Sequence, residues 1–296
     1  MPANIIDGKK IADIIRADLK KEIENLQNKH GVTPGLSVVL VGENPASQVY
    51  VRMKNKACHA IGVYSEQHTF PADIKENDVL KKIEELNNNN KIHGILVQLP
   101  LPSHIDEQKV INTILPEKDV DGFHPVNMGK LLIGLPGFKP CTPFGVQQLL
   151  VHSGINISGA HVVVVGRSNI VGKPIASILV QKQEHANATV TVCHSRTKDL
   201  PGITSQADIL IAAIGKPEFI TADMVKDDAV IIDVGVNRVD DSTSEKGYKL
   251  VGDVKFDEVS KKCKAISPVP GCVGPMTITM LLYNTVQSAK NHTGLV

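Results

Sequence analysis

Tyr50 and Lys54 stand four residues apart in the stretch from Ser47 to Ile61, whose pattern predicts a helix, so they share a face and can line one pocket. A lysine so placed moves protons near neutral pH only where burial or a nearby cation depresses its pKa. Arg52 and Lys56 flank it, and the plainer reading is a solvated helix lysine. Gln98 interrupts the apolar run GILVQLPLP (94–102), where a buried amide must find partners or cost a few kcal/mol. It sits at the predicted C-terminal end of a parallel strand, where α/β folds bind ligands, although a satisfied structural glutamine would fit as well. Asp119 and Asp121 belong to PEKDVDGFHPV (116–126), a stretch of prolines, glycine and acids that predicts a loop at a domain junction. Such aspartates either face a ligand or form turns. PVPGCVGPMT (268–277) predicts stiff, closely approaching backbone of the sort a cleft wall requires.

VVVVGRSNIVGKPIASIL reads as an aliphatic strand, Gly166, a polar turn, Gly172 and a helix with Pro174 near its start. A first βα turn of this kind brings backbone N–H groups and the positive helix end toward a diphosphate. It departs from G-x-G-x-x-G: Ser168 replaces the second glycine and the spacing to Gly172 is one residue longer, so a plain helix-packing turn is the alternative. The next strand, TVTVCHS, ends in Ser195 and Arg196 rather than in the acid that binds the ribose hydroxyls of NAD. A hydroxyl and a guanidinium there, with Arg167 nearby, suit a 2′-phosphate and favour NADP over NAD. The competing reading leaves both arginines as solvated surface charges.

The elements that must hold these residues alternate. An amphipathic helix (11–26), LSVVLVG (36–42), the Ser47–Ile61 helix, YSEQHTF (64–70), NDVLKKIEELN (77–87), GILVQLPLP and DEQKVINTIL predict strands and helices in turn, hence a mostly parallel sheet covered on both faces. After the junction, HVVVVG, TVTVCHS, DILIAAIG, AVIIDVGV and AISPVP predict a second, doubly wound α/β sheet. VDDSTSEKGYKLVGD (239–253) predicts a hairpin-like excursion, and GPMTITMLLYNTVQSAKNH a long terminal helix in need of a dock. Length, 296 residues, suits two such domains. A formal net charge of +1 excludes a global field that would collect nucleic acid or an anionic membrane. Five scattered cysteines without C-x-x-C spacing predict reduced thiols in a cytosol and no metal site, and no run is long enough to span a bilayer. The first residues have no signal-peptide character.

Y-x-x-x-K at 50–54, GILVQLPLP, PEKDVDG, PCTPFGV at 140–146, VVGRSNIVGKP at 164–174 and PVPGCVGPMT occur in this order across essentially the whole chain. Together they resemble the bifunctional methylenetetrahydrofolate dehydrogenase and methenyltetrahydrofolate cyclohydrolase, the FolD family. The resemblance implies a folate-binding catalytic domain over 1–120 completed by the C-terminal helix 275–296, an NADP-binding Rossmann-type domain over 121–274, and a cleft between them. It also implies a cytoplasmic homodimer acting on tetrahydrofolate derivatives, with no nucleic-acid or membrane partner. Lys54 then resembles the catalytic lysine of the cyclohydrolase step and Gln98 its hydrogen-bonding partner. Tyr50 resembles the aromatic that packs on the folate, Asp121 the carboxylate that holds the pterin edge, and Pro270 and Gly271 further substrate contacts. Gly166, Arg167, Ser168, Gly172, Ser195, Arg196, Ile214, Gly215 and Val236 fall in the cofactor region. Cys272 stands where the family has a second glycine of Pro-Gly-Gly. If that position needs φ > 0, the cysteine is strained by about 1 kcal/mol or more and puts a side chain into the cleft wall. Two other readings are a monofunctional NAD(P)-dependent dehydrogenase and a non-catalytic nucleotide-binding protein of the same fold.

Overall fold

A computed structural model describes residues 3–244 and 247–295; Glu245 and Lys246 of the expected excursion, and residues 1, 2 and 296, lie outside the described residues. In chain order the elements are β1 (Asn4–Ile5), α1 (Gly8–His30), β2 (Gly35–Val41), α2 (Pro45–Ile61), β3 (Tyr64–Phe70), α3 (Glu76–Asn87), β4 (Gly94–Val97) and α4 (Glu107–Thr113). Then come α5 (Pro125–Ile133), α6 (Cys141–His152), β5 (His161–Val165), α7 (Gly172–Leu179), β6 (Thr189–Cys193), α8 (Leu200–Thr204) and β7 (Ile209–Ala212). The remainder is β8 (Val230–Asp233), β9 (Asn237–Asp240), β10 (Tyr248–Val251), α9 (Phe256–Val259), β11 (Ala265–Ile266) and α10 (Val273–Thr293).

The chain divides into two compact units, Asp13–Cys141 with Ile278–Val296, and Met1–Ala12 with Thr142–Thr277. The first of these units holds a three-stranded parallel sheet in the order β3-β2-β4. Strands β2 and β4 are buried along their whole length and are aliphatic apart from glycine and Ser37, whereas the edge strand β3 mixes half-buried and exposed residues. Asp119 adds a parallel bridge to Ile95, extending the β4 edge. Helix α10 completes this unit. Asn284 Nδ2 donates to the carbonyls of Val120 (2.8 Å) and Lys139 (3.0 Å), and Ser288 Oγ donates to those of His93 (2.5 Å) and Glu117 (2.7 Å). The helix expected to need a dock therefore has one.

The other unit is a six-stranded sheet in the order β1-β11-β8-β7-β5-β6, with every pairing parallel. Its apolar core gathers Val163, Leu210, Ile231 and Ile266 from four neighbouring strands. The expected excursion is the antiparallel hairpin β9–β10, a two-stranded sheet of its own. AISPVP contributes only Ala265–Ile266 as strand, because Pro268 and Pro270 have no N–H to give a ladder.

Two segments lie in the other unit from the one expected. The first residues go with the six-stranded sheet because β1 pairs with β11, and residues 121–141 stay with the three-stranded sheet, where Asn284 holds both of their ends. Residues 125–133 and 141–152 are helices where the sequence pattern predicted only an interruption.

Candidate active site

Helix α2 starts on Asn44, whose side chain accepts the N–H groups of Ala46 and Ser47, with Pro45 in the first turn where no N–H is missed, and stops at Gly62 in the left-handed region (φ 88°). Its buried stripe is Ser47, Val51, Lys54, Cys58 and Ile61. Lys54 thus occupies a core position of an amphipathic helix and is only 7% exposed, while Tyr50, one turn earlier, is 37% exposed. The Lys54 ammonium donates to Gln98 Oε1 at 3.0 Å, and Gln98 Nε2 donates to the carbonyl of Leu99 at 2.8 Å, which fixes the amide's orientation. Gln98 follows the last residue of β4 and is held there by its own N–H on the Val39 carbonyl (2.9 Å). Both polar ends of this interrupting residue are therefore spent on the site and on its own strand end.

Burial lowers the pKa of Lys54; the charge of Asp121 opposes that shift more than any other group does. Asp121 moves the other way, pushed up by burial and pulled back by Lys54. Burial thus moves the lysine down and the carboxylate up, while the charge of each partly offsets the other's shift. Cys141 lies beside them, its thiol donating to the Val120 carbonyl at 3.3 Å and receiving Asn284 Nδ2 at 3.7 Å. Burial, and next the charge of Asp121, keep that thiol well above its usual pKa, so it is a neutral wall rather than a nucleophile. Cys141 was not among the residues expected at the site; its signal was its place in PCTPFGV, immediately after a proline. Asp119, the other junction acid, accepts the N–H groups of Gly122, Phe123 and His124 and the Asn127 amide, all within 3.2 Å. It is the turn former of the pair.

In the six-stranded unit, the expected nucleotide residues collect at the carboxyl ends of β5, β6, β7 and β8. Gly166 has φ 140°, and a Cβ there would run into the Ala213 carbonyl; a Cβ on Gly172 would strike the Gly166 carbonyl. The turn therefore requires both glycines. Ser168 Oγ accepts the N–H groups of Val171 (3.1 Å) and Gly172 (3.3 Å), closing the turn onto α7. Arg167, Ser195 and Arg196 are exposed beyond β5 and β6, and no carboxylate occupies residues 194–197. This donor set fits a dinucleotide carrying an extra phosphate: a close-approach glycine turn, a helix start and two guanidinium groups. Ile214 and Gly215 follow β7, and Val236 is half-exposed after β8. Three features missed by the sequence reading support them. Asp253 accepts the N–H groups of Ile214 (2.6 Å), Gly215 (2.9 Å) and Lys216 (3.0 Å), and Asn237 Nδ2 at 2.9 Å. Asp233 accepts those of Gly235, Asp253 and Val254, and burial holds it up at about 7 against that pull.

Pro270 and Gly271 lie in this same unit, exposed, and not in the one that holds Lys54, Gln98, Asp121 and Tyr50. The expected strain at Cys272 is absent. The positive φ falls on Gly271 (107°), and the Cys272 side chain is buried, its thiol donating to the Ile6 carbonyl at 3.3 Å. The cysteine fills a core niche against the backbone of residues 6–8, where Gly8 leaves it room.

Comparison with known proteins agrees with this geometry. The catalytic-domain model of tetrahydrofolate dehydrogenase/cyclohydrolase matches residues 6–121, and the NAD(P)-binding-domain model of the same family matches residues 140–293. The bifunctional protein FolD of Syntrophobacter fumaroxidans is 57% identical over 292 residues, 99% of both chains, and that of Moorella thermoacetica 59% identical over 290 residues, 98% of this chain and all of its own. Among solved structures, the bifunctional FolD methylenetetrahydrofolate dehydrogenase/cyclohydrolase of Campylobacter jejuni superposes with a TM-score of 0.92 at 49% identity, covering 98% of this chain and 99% of its own. The Trypanosoma brucei enzyme, solved with NADP and an inhibitor, superposes with a TM-score of 0.94 at 40% identity over 99% of both chains. A chain matched over both domains and nearly end to end, with a buried lysine–glutamine pair in one unit and a glycine-turn nucleotide edge in the other, belongs to the tetrahydrofolate dehydrogenase/cyclohydrolase family.

Proposed function

We propose that Lys54, Gln98 and Asp121 carry the hydrolytic half of a bifunctional one-carbon folate enzyme, one that oxidises 5,10-methylenetetrahydrofolate to 5,10-methenyltetrahydrofolate with NADP and hydrolyses that product to 10-formyltetrahydrofolate. The observation that supports this most is Lys54 itself, a buried amine held at 3.0 Å from an oriented amide. Water adds to the methenyl carbon and loses a proton to the neutral Lys54 amine. The carbon–N5 bond then breaks, and N5 takes the proton back from the Lys54 ammonium; one proton leaves to solvent overall. Gln98 Oε1 holds the amine on line through both transfers. Asp121 holds the pterin edge, its raised pKa letting it share a proton with a ring nitrogen, and Tyr50 presents an exposed ring for the flat pterin to lie against.

The oxidation asks less of the protein. The nicotinamide, when bound, accepts the hydride, and the two substrate nitrogens stabilise the cation left behind, so alignment matters more than acid or base. Arg196 and Arg167 meet the 2′-phosphate, and Gly166, Ser168 and Gly172 admit the diphosphate to the start of α7. Five unpaired, buried cysteines suit a reducing cytoplasm, and the near-neutral charge suits a protein with neither nucleic acid nor membrane as partner. Among the described residues, no helix is long and apolar enough to cross a membrane. A homodimer follows from the resemblance and is checked by sedimentation.

Lys54→Gln tests the reading. Following reduced cofactor and methenyl product separately, hydrolysis should fall by at least about 100-fold, as expected for the loss of a general acid–base group. NADP reduction with methylenetetrahydrofolate should persist in part. Full hydrolysis by the variant would sink the assignment.

A further inference from the structure

Two short segments of the six-stranded unit interlock. Asp233 and Gly235 precede the β9–β10 hairpin, and Gly252 and Asp253 follow it. A Cβ on Gly235 would collide with the Asp253 carboxylate, and a Cβ on Gly252 with that of Asp233, so each glycine makes room for the other segment's acid. Asp233 spends its oxygens on the N–H groups of Gly235, Asp253 and Val254, within this clamp. Asp253 points outward from the clamp to a third segment. It takes three consecutive N–H groups, of Ile214, Gly215 and Lys216, at 2.6 to 3.0 Å, and the amide of Asn237. Three successive amides turned onto one carboxylate define the path of the turn after β7. That turn begins at Ala213, whose carbonyl is the surface against which Gly166 is pressed. The hairpin base, the β7 turn and the glycine turn after β5 are thereby fixed in one piece.

We propose that Asp253 is a positioning residue for the nucleotide step: by anchoring the Ile214–Lys216 turn to the glycine turn, it sets the affinity for the dinucleotide without touching it. This rests on the reading that Ile214 and Gly215 meet the dinucleotide. An amide in place of the carboxylate cannot accept all four donors, because one of its ends is itself a donor. The turn should then sample other paths, and binding should carry the cost of ordering it.

The test is Asp253→Asn, assayed in the full chain for both reactions. We expect the KM for NADP to rise about tenfold or more, with kcat at saturating NADP within about threefold of the unaltered protein, an unchanged thermal melt followed by circular dichroism reporting that the six-stranded unit is folded, and hydrolysis of methenyltetrahydrofolate without nucleotide unchanged. An unchanged NADP KM in a variant that still hydrolyses overturns the proposal, as does a loss confined to kcat. Should the variant fail to fold, hydrogen exchange on the unaltered, nucleotide-free protein decides: the amides of 214–216 should be protected, and exchange at open-loop rates overturns the proposal. If instead the unaltered protein fails to oxidise methylenetetrahydrofolate with either NADP or NAD as acceptor, the underlying reading fails, not the role of Asp253 in ordering the turn, which the exchange measurement still reads.

Discussion

Lys54 shows how far single residues were legible. Its type and its four-residue spacing from Tyr50 are visible in the sequence, where the plainer reading is a solvated lysine; the buried stripe Val51, Lys54, Cys58, Ile61 makes it a core position instead. What is not visible is that β4 ends one residue before Gln98 and so delivers an acceptor to the ammonium. That depends on register between β2 and β4, a long-range property. Asp119 and Asp121 looked alike in the sequence and separated only once donors were placed: three backbone N–H groups and the Asn127 amide went to Asp119 and fixed it as a turn former. Cys272 stands where the resembling family has a glycine, which would strain it only if that position needed a positive φ; the positive φ belongs to Gly271 instead. Arg196 carries the sharpest expectation at this scale. An exposed guanidinium that meets a 2′-phosphate through a charge-assisted bond contributes about 1.5 kcal/mol or more, so Arg196→Ala should raise the KM for NADP about tenfold and leave that for NAD nearly unchanged. Equal effects on both nucleotides, measured by cofactor reduction, would count against the contact.

At the scale of elements, the βα alternation was readable because parallel strands buried on both faces must be aliphatic runs, and crossover helices must be amphipathic. Short elements escaped: β1 is two residues long and announces itself only through its pairing with β11. The terminal helix was legible as apolar on a wide face, but its polar residues do the anchoring. Asn284 reaches carbonyls beside Asp121 and Cys141, and Ser288 those of His93 before β4 and Glu117 in the junction loop. Asn284→Ala removes one donor from each of the Val120 and Lys139 carbonyls, the first keeping only the weak Cys141 thiol, at a cost of about 1 kcal/mol or more. Thermal unfolding should show a drop of several degrees, and hydrolysis should weaken more than oxidation, since the loosened loop carries Asp121. A variant that loses oxidation first would contradict this placement of the helix.

For the whole molecule, two buried titrating groups work in opposite directions, one in each unit. Burial lowers His93 to about 4, from an ordinary 6.5, and its Nδ1 accepts the Gly35 N–H, so the folded unit holds the neutral ring. The unfolded chain binds the extra proton between those values, and this unit loses stability as pH falls from 6.5 toward 4, by at most about 3 kcal/mol. Asp233 is raised from 3.8 to about 7, so the folded state is the better proton binder and its unit gains stability over nearly the same descent. Asp121, also raised by burial, opposes His93 within the first unit, so denaturant unfolding at pH 7 and pH 4.5 is compared between the unaltered protein and each variant, where the two residues should contribute with opposite sign. His93→Asn should flatten the acid loss of the first, and Asp233→Asn the gain of the second. A common slope for both, unaffected by either substitution, would refute the assignment.

The five thiols have a practical consequence of the same division. All are buried: Cys58 and Cys141 in the unit of the three-stranded sheet, Cys193, Cys263 and Cys272 in the other. Burial also holds Cys58, Cys263 and Cys272 at about 11, 11 and 12, so reactive thiolate is scarce while the fold is closed. A thiol reagent therefore meets a protein with nothing to modify until a unit opens, and the mass of the tagged peptides then says which one. The molecule comes with its own clock for breathing, read separately on each side, with no label to engineer and no residue to replace.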